Sequence, residues 1–237
     1  MRTDGRAADE MRKVKATLGF SKFAEGSCLI EIGDTMVLCN ASVEERVPPH
    51  VTSGGWVTAE YSMLPRANRE RSKRDISKLK LSGRSAEIQR LIGRSLRSAI
   101  DLEALGQRTV TIDCDVLQGD GGTRTASVTG GFIALALACR RLMEQGKITQ
   151  MPLKTYVSGI SAGIVRNEAM LDLCYEEDSR ALVDLNCVMT VEGDLIELQA
   201  TGEGRPFTIE EQRKLIALCR KGNAVITQMQ RRCLGAL

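Results

Sequence analysis

The residues best suited to chemistry lie in a glycine-rich segment at residues 119–131, which reads GDGGTRTASVTGG. It follows a strand-like run and leads directly into a long apolar helix. Backbone N–H groups of such a turn converge with those of the first helical turn, where the helix dipole favours an anion. Arg124 adds a planar guanidinium group that can bind two phosphate oxygens. The segment predicts an anion-binding turn, although a tight strand-to-helix corner without a ligand would use the same glycines.

Two aspartates form the second candidate group, in the segment LDLCYEEDSRALVDLN at residues 171–186. Asp178 and Asp184 are six residues apart, and Asp184 stands inside an apolar, strand-like run. A carboxylate is costly to bury there unless it is paired or binds a cation. If both carboxylates lie beside a phosphate-binding turn, they suit Mg²⁺, which often binds through one or two carboxylates together with phosphates. The alternative is one aspartate at a hairpin end and one on a solvent-facing strand.

A run of basic residues forms the third group. Residues 66–84 read RANRERSKRDISKLKLSGR, with eight basic residues against two acidic ones. The following segment carries Arg90, Arg94 and Arg97 at helical spacing. Because the whole chain has a net charge of only +3, this local excess suits a polyanion held through its backbone phosphates. A charge-rich contact between subunits is the alternative.

Composition narrows the class of protein. The chain has 237 residues, of which 43% are hydrophobic, so it can bury a substantial core. Its single histidine, His50, follows two prolines, which argues against a histidine-dependent catalytic triad. The eight cysteines include no CxxC pair, so we expect buried thiols in a reducing compartment and neither disulfides nor a zinc cluster. The N-terminus is charged, and we expect no apolar run long enough to span a membrane. These two features predict a soluble, cytoplasmic protein without a membrane partner.

Strand-like and helix-like segments alternate along the chain, which predicts a mixed α/β (α+β) fold. We expect strands at residues 28–32, 36–43, 56–64, 109–117, 157–165, 170–175, 183–191 and 195–200. We expect helices at residues 6–14, 87–100 and 126–144, and a closing helix towards residue 233 that begins with a capping box of Thr208 and Glu211. The best internal boundary, between residues 145 and 154, separates residues 1–145 from residues 155–237. Each half has strands followed by a helix, which favours a duplicated fold within one compact unit, although no sequence repeat supports it.

The chain resembles the ribonuclease PH family along nearly its whole length. The matching blocks, in chain order, are DGR, AEGS, GDTMVLCNASVEE, SGRSAEIQRLIGRSLR, GDGGTRTASVTGG and LDLCYEEDSRALVDLN. The most specific pair is GGTRTA followed by CYEEDSxAxxDxN. The resemblance implies a duplicated α/β fold, a homohexameric ring built as a trimer of dimers, and trimming of the 3′ ends of transfer RNA precursors. In that reaction inorganic phosphate replaces water and nucleoside diphosphates are released, and the reverse reaction adds nucleotides.

The resemblance also implies roles for individual residues. The positions that would bind inorganic phosphate, the co-substrate, are Arg84, Gly122, Thr123 and Arg124. The positions that would serve catalysis and hold Mg²⁺ are Asp178 and Asp184. As a mechanistic hypothesis, we expect one aspartate, with Asp184 favoured, to protonate the leaving oxygen as well. The positions in the RNA-contacting and ring-interface loop are Arg66, Arg69, Arg71 and Arg74.

Three other functions stay open on the sequence alone. The first is a non-catalytic RNA-binding subunit of an exosome-like ring, against which the retained arginines and aspartates argue. The second is a hydrolytic nuclease, which would release monophosphates without added phosphate. The third is an enzyme that acts on a small phosphorylated metabolite, which would leave the basic run unexplained.

Overall fold

The structure, a computed structural model, describes residues 2–74 and 82–237, which form nine strands and five helices. The strands are β1 (Val14–Leu18), β2 (Gly26–Ile32), β3 (Thr35–Glu44), β4 (Trp56–Met63), β5 (Thr109–Gln118), β6 (Val157–Val165), β7 (Glu168–Leu171), β8 (Val183–Thr190) and β9 (Leu195–Thr201). The helices are α1 (Gly83–Ser98), α2 (Leu102–Leu105), α3 (Thr123–Glu144), α4 (Tyr175–Asp178) and α5 (Ile209–Leu234). The mixed α/β fold expected from the sequence is confirmed.

The N-terminal sheet has the strand order β1-β2-β3-β5-β4 and is antiparallel except for the parallel pair of β4 and β5. Strand β3 alternates along its length, so that Val37, Cys39 and Ala41 face the core. The β2–β3 hairpin turns at Gly33, whose φ of 56° lies in the left-handed region that glycine adopts without strain. Because β5 is paired on both sides, its C-terminal end holds the glycine-rich turn in a fixed place.

The C-terminal sheet has the order β7-β6-β8-β9 and is antiparallel throughout. Asn186 of β8 pairs with Ser161 of β6, and Asp184 lies two residues before Asn186. Side chains that are opposite each other, or two residues apart on one strand, share a face of the sheet. The side chains of Ser161, Asp184 and Asn186 therefore lie on one face of this sheet.

Helix α3 lies between the two sheets and packs against both. A side chain at Gly26 of β2 would collide with the α3 backbone at Ala134 and Ala138, so this glycine permits the close approach. By length and composition α3 could cross a membrane, since one 18-residue window has a mean hydropathy of 1.3, but 78% of that window is buried inside the protein. The expectation that no apolar run reaches this length was wrong, because a helix enclosed by two sheets is apolar around most of its circumference.

Side chains cap the N-terminal ends of the two amphipathic helices, and the cap of α5 is the one that the sequence predicts. Helix α1 begins after Ser82, whose hydroxyl oxygen accepts a 3.0 Å hydrogen bond from the Ser85 N–H. At the start of α5, Thr208 Oγ1 accepts from the Glu211 N–H at 3.1 Å, and Glu211 Oε2 accepts from the Thr208 N–H at 2.8 Å. The predicted capping box is confirmed, and α5 packs along the C-terminal sheet.

The predictions of two elements were wrong. Residues 6–14 form no helix: Arg12 is tied to Asp172 through its backbone and its side chain, and Lys13 accepts a 2.9 Å bond from the Gly33 N–H. These long-range hydrogen bonds hold the segment in a non-helical path that includes a turn at residues 8–9. Residues 170–175 are not one strand, because Asp172 has a φ of 51° and ends the pairing, after which Tyr175 begins α4.

The other expected strands and helices are present with small shifts at their ends. Helix α1 begins four residues before its predicted start, and β1, α2 and α4 were not predicted. All eight cysteines are free thiols and all except the half-buried Cys233 are buried, which confirms the expectation of buried thiols.

Candidate active site

One cavity of 340 Å³ collects the predicted site residues. The first half of the chain lines it with Met63, Asn68, Arg84, Gly119, Gly121, Gly122, Thr123 and Arg124. The second half lines it with Ser161, Tyr175, Asp178, Asp184 and Asn186. The six residues predicted to bind phosphate, hold a metal ion or serve catalysis therefore meet in a single place.

The turn between β5 and α3 forms one wall of this cavity. Gly121 and Gly122 have φ values of 76° and 65°, in the left-handed region, and a side chain at Gly121 would collide with the backbone at Leu173 and Cys174. Gly122 is also the N-cap of α3, and no side chain of the described residues caps this helix end. The N–H groups of the first turn therefore point at the cavity without a capping oxygen, as an anion site requires.

A buried arginine holds the turn in position. Arg12 donates to both carboxylate oxygens of Asp172, at 3.0 and 2.7 Å, and its Nη1 donates to the carbonyl of Asp120. Thr35 supports the same turn, because its hydroxyl donates to the Gly121 carbonyl at 2.7 Å and accepts from the Asp120 N–H at 2.9 Å. Sequence reasoning missed these residues because their partners lie far apart in the chain.

Two arginines supply the positive charge of the site. Arg84 lies in the first turn of α1, and Arg124 is the second residue of α3. Arg124 Nη1 donates to Gln199 Oε1 at 3.1 Å, and Gln199 in turn donates to Glu87 Oε1 at 3.0 Å. This chain of neutral and acidic partners aims the guanidinium group of Arg124. Because Arg124 forms no ion pair with a carboxylate of residues 2–74 or 82–237, its charge stays available to an anion.

A buried ion pair holds Asp178 in place. Glu177, next to Asp178 in α4, accepts hydrogen bonds of 2.8 and 2.6 Å from Arg2, and both side chains are less than a tenth exposed. Arg2 also donates to the carbonyls of Leu171 and Asp172, at 2.7 and 2.8 Å. The short helix that carries Asp178 is therefore fixed from its buried side, a contact that the sequence did not reveal.

Burial governs the protonation of the two aspartates. It raises the pKa of Asp178, an effect that the cations of Arg124 and Arg84 oppose. It raises the pKa of Asp184 further, to about 6, with the negative charge of Asp178 as the next cause. Asn186 Nδ2 donates to Asp184 Oδ2 at 2.8 Å and fixes the orientation of that carboxyl group. The two carboxyl groups therefore interact and do not both ionise readily without a nearby cation.

This pair fits a hard divalent cation. No group of three or more acidic, histidine or cysteine side chains capable of holding a metal ion occurs among residues 2–74 and 82–237. Two interacting carboxylates beside an anion-binding turn match the way Mg²⁺ is bound, through one or two carboxylates, water and phosphate oxygens. Asp178 and Asp184 are the residues that would hold such an ion.

Sequence reasoning missed one hydroxyl group that lines the cavity, that of Ser161, and one that supports its wall, that of Tyr61. Ser161 is only 4% exposed, and its Oγ has no hydrogen-bond partner in the described parts of the chain. Tyr61 shares a 2.9 Å hydrogen bond with the hydroxyl of Thr123, which fixes the first side chain of α3. Ser161 lies in the run VSGISAGIV, where every residue is buried, so its alternation gives no signal of a polar face.

The four arginines predicted to contact RNA lie outside this cavity. All of them are exposed: Arg66, Arg69, Arg71 and Arg74. Arg69 pairs with Glu176 at 3.1 Å, but 79% of its side chain is exposed, so the pair is weak. Their neighbour Asn68 does reach the cavity, and the backbone carbonyl of Ala67 accepts from the Gly119 N–H at 2.8 Å. The basic run therefore begins at the edge of the site, and its residues 75–81 lie outside the described residues.

Fold and site together define a class of protein, an α/β protein in which an anion-binding turn faces an acidic pair across one cavity. The chain belongs to the ribonuclease PH family: the models for the 3′ exoribonuclease family match residues 10–140 as domain 1 and residues 155–222 as domain 2.

Solved structures share this fold. A chain of the Archaeoglobus fulgidus exosome with RNA bound to the active site superposes with a TM-score of 0.83 and 23% identity, over 96% of this chain and 91% of that one. The rice (Oryza sativa) Rrp46 structure superposes with a TM-score of 0.78 and 18% identity, over 98% of this chain and 100% of that one. A chain of an archaeal exosome core superposes with a TM-score of 0.73 and 22% identity, over 98% of this chain and 90% of that one.

Proposed function

We propose that this protein is a phosphorolytic 3′-to-5′ exoribonuclease that trims the 3′ ends of transfer RNA precursors. The observation that carries the proposal is the single cavity in which the glycine turn and two arginines face Asp178 and Asp184. A nuclease that used water as its attacking group would have no need for a second anion site beside the scissile phosphate. Membership in a family of 3′ exoribonucleases supports RNA as the other substrate.

Inorganic phosphate binds to the N–H groups of Gly122, Thr123 and Arg124 and to the guanidinium groups of Arg84 and Arg124. One of its oxygens attacks the phosphorus that links the last nucleotide to the RNA. The bond from that phosphorus to the 3′ oxygen of the penultimate nucleotide breaks. The last nucleotide leaves as a diphosphate, and the RNA is shorter by one residue. The site contributes mainly by positioning two anions together among fixed cations.

The leaving 3′ oxygen needs a proton, and Asp184 is the better donor of the two aspartates. Its pKa is raised to about 6 by burial and by Asp178, so a fraction of it is protonated near neutral pH. Since Oδ2 accepts from Asn186, Oδ1 is the oxygen that carries the proton. In the reverse reaction the same carboxylate accepts the proton from the attacking 3′ hydroxyl.

Mg²⁺ would be held by Asp178 and Asp184 and, when bound, would neutralise charge on the transferring phosphoryl group. Arg84 and Arg124 perform part of the same task, and their charges already oppose the rise that burial causes in the pKa of Asp178.

The basic run and the assembly belong to the same proposal. Arg66, Arg69, Arg71 and Arg74 are exposed at the edge of the cavity and suit the RNA backbone as it approaches the site. We propose a homohexameric ring of these chains in the cytoplasm, in line with the exosome chains that share the fold.

A non-catalytic RNA-binding ring subunit is the second candidate, because the chains that share this fold come from exosomes and from Rrp46. The complete set of two arginines and two aspartates in one cavity favours catalysis instead.

Incubation of the protein with a short 3′-extended RNA and Mg²⁺, with and without inorganic phosphate, separates these functions. We expect nucleoside diphosphates only when phosphate is present. Monophosphates without phosphate would identify a hydrolase. RNA binding without any product would identify the non-catalytic subunit, and a variant with Asp184→Asn gives the matched baseline.

A further inference from the structure

Tyr175 lines the catalytic cavity but has no part in the proposed chemistry. It is the first residue of α4, in the segment CYEED, and 53% of it is exposed. Its hydroxyl has no hydrogen-bond partner among residues 2–74 and 82–237, and its ring contacts neither a cation nor another aromatic ring there. The ring therefore stays accessible to a ligand that enters the cavity.

Flat apolar surface is scarce in this cavity. Apart from Met63 and Tyr175, the residues that line it in the described chain are glycines or carry polar or charged side chains. Met63 packs on the glycine-rich turn, since a Cβ atom at Gly119 would lie 3.2 Å from the methyl group of Met63. Tyr175 is therefore the aromatic surface that the described cavity offers to a flat apolar group.

Backbone contacts fix the start of α4 beside the turn. The Tyr175 N–H donates to Asp120 Oδ1 at 3.2 Å, and a Cβ atom at Gly121 would lie 3.0 Å from the Tyr175 nitrogen. Asp178 lies three residues further along α4, which places both side chains on the same side of the helix, about 4.5 Å apart along its axis. Tyr175 therefore neighbours both the turn that would bind phosphate and the aspartate that would hold the metal ion.

A nucleotide in this cavity has three chemically distinct parts. Its phosphates suit the turn, the arginines and the metal ion, and its ribose is polar. Its base is the flat part, and bases stack on aromatic side chains through a π-face that every base possesses. The accessible ring of Tyr175 therefore matches the base of a nucleotide whose phosphate lies at the turn.

We propose that Tyr175 stacks on the base of the 3′-terminal nucleotide, the one that each cycle removes. The inference rests on the proposed function and assigns the residue that holds the base in the same site. Because stacking uses the face of the base and reads none of its edges, all four bases are accepted. Purines, with the larger ring face, bind more tightly than pyrimidines.

Nucleoside diphosphates, the products of the proposed reaction, test this without RNA, so that no 3′ end is present to react. We would titrate the full-length protein and Mg²⁺ with ADP, UDP or pyrophosphate in a calorimeter, since pyrophosphate has two phosphates and no base. The wild type should bind ADP more tightly than UDP. Tyr175→Leu should weaken ADP binding by about 5- to 150-fold, the equivalent of about 1–3 kcal/mol for one base stack, and leave pyrophosphate binding unchanged.

Two further variants separate stacking from other effects. Tyr175→Phe keeps the ring and removes the hydroxyl, so it should retain the wild-type affinity for ADP. Phe23→Leu is the matched control, because Phe23 is 86% exposed but does not line the catalytic cavity, and its affinities should equal those of the wild type.

Three outcomes would overturn the inference. They are an unchanged ADP affinity in Tyr175→Leu, an equal loss for ADP and pyrophosphate, which would indicate a displaced phosphate site, and a change in oligomeric state by light scattering, which would identify an interface between copies. ADP binding that depends on Tyr175 in a protein that trims no RNA would refute only the proposed function. Phosphate-dependent trimming, with an ADP affinity that Tyr175→Leu does not change, would refute only this inference.

Discussion

At the scale of single residues, the site is a meeting of opposite charges from the two halves of the chain. The first half provides Arg84 and Arg124, and the second provides Asp178 and Asp184. The types and local settings of Arg124, Asp178 and Asp184 were enough to single them out in the sequence, whereas Arg84 was predicted as a site residue only through the family resemblance. Ser161 and Asn186 were not predicted, because they lie in strands that look uniformly buried and their polar face appears only when β6 and β8 pair.

Arg124 tests the phosphate-binding role most simply. Arg124→Ala removes one of the two guanidinium groups at the turn, and we expect phosphate-dependent trimming to fall by about 100- to 1,000-fold. The fold should persist, since the only hydrogen bond of this side chain in the described residues goes to Gln199. Initial rates at several phosphate concentrations measure the effect. Gln199→Ala is the control for misplacement of the side chain, with a smaller expected loss, and wild-type rates in Arg124→Ala would remove Arg124 from the site.

Asp184 should make stability depend on pH in a defined direction. Its pKa is raised from 3.8 to about 6, so between these values the folded protein binds more protons than the unfolded chain. The free energy of unfolding contributed by this group therefore falls as pH rises through that window. Asp184→Asn removes the effect, and we expect the variant to gain up to roughly 3 kcal/mol over the wild type between about pH 4 and pH 7.

Denaturant titrations in the presence of a chelator measure this difference. Added Mg²⁺ at neutral pH should raise the stability of the wild type and leave Asp184→Asn nearly unchanged, because the cation compensates the same charge. A difference between wild type and variant that does not vary with pH would contradict the assignment of the raised pKa to Asp184.

We expect the hydroxyl of Ser161 to lower the stability of the fold and to contribute to phosphate binding. Its hydroxyl is buried beside the catalytic cavity without a partner in the described structure, and such a group destabilises a fold by about 1–3 kcal/mol. We expect Ser161→Ala to raise the Tm while it raises KM for phosphate several-fold. Thermal melts and phosphate saturation curves on the same preparations test both parts. A lower Tm with an unchanged KM would show that the hydroxyl is an internal structural group.

At the scale of elements, the hydrophobic pattern of the sequence predicted the strands and helices whose conformation depends on that pattern alone. Strands such as β3, with its alternation, and the apolar α3 were predictable because each buries a regular face. The N-terminal segment was not, since a charged run at helical spacing says nothing about the distant partners of Arg2 and Arg12. Those partners decide the conformation of the segment, and through it the position of α4.

Arg2 gives the test at this scale. Arg2→Ala removes the two short hydrogen bonds to the buried Glu177, which keeps only the longer pair with Arg6 at 3.7 Å, and it removes the donors to two carbonyls. We therefore expect a loss of about 3 kcal/mol in stability, the lower end of the range for a broken buried pair. Because Glu177 precedes Asp178 in α4, kcat should fall under conditions in which the variant is still folded. Lys15→Ala is the control: its pair with Glu31 is 2.7 Å long but 69% exposed on the lysine side, and should contribute less than about 1 kcal/mol. Equal effects of the two variants would contradict the supporting role of Arg2.

At the scale of the whole molecule, the packing of both sheets on α3 is what creates the site. The same helix starts at the glycine-rich turn and runs through the core, so the proposed phosphate position is tied to a largely buried element of the protein. The two family models match consecutive segments of the chain, residues 10–140 and residues 155–222. The first segment supplies the two arginines of the cavity, and the second supplies its two aspartates. Neither segment alone contains a complete site.

The fate of the phosphate tests the central claim most directly. The protein is incubated with a 3′-extended RNA and isotopically labelled inorganic phosphate, and the released nucleotides are separated by charge. Phosphorolysis predicts the label in the β-phosphate of nucleoside diphosphates, with one labelled nucleotide for each residue removed from the RNA. Release of unlabelled nucleoside monophosphates at the same rate with and without phosphate would contradict the account.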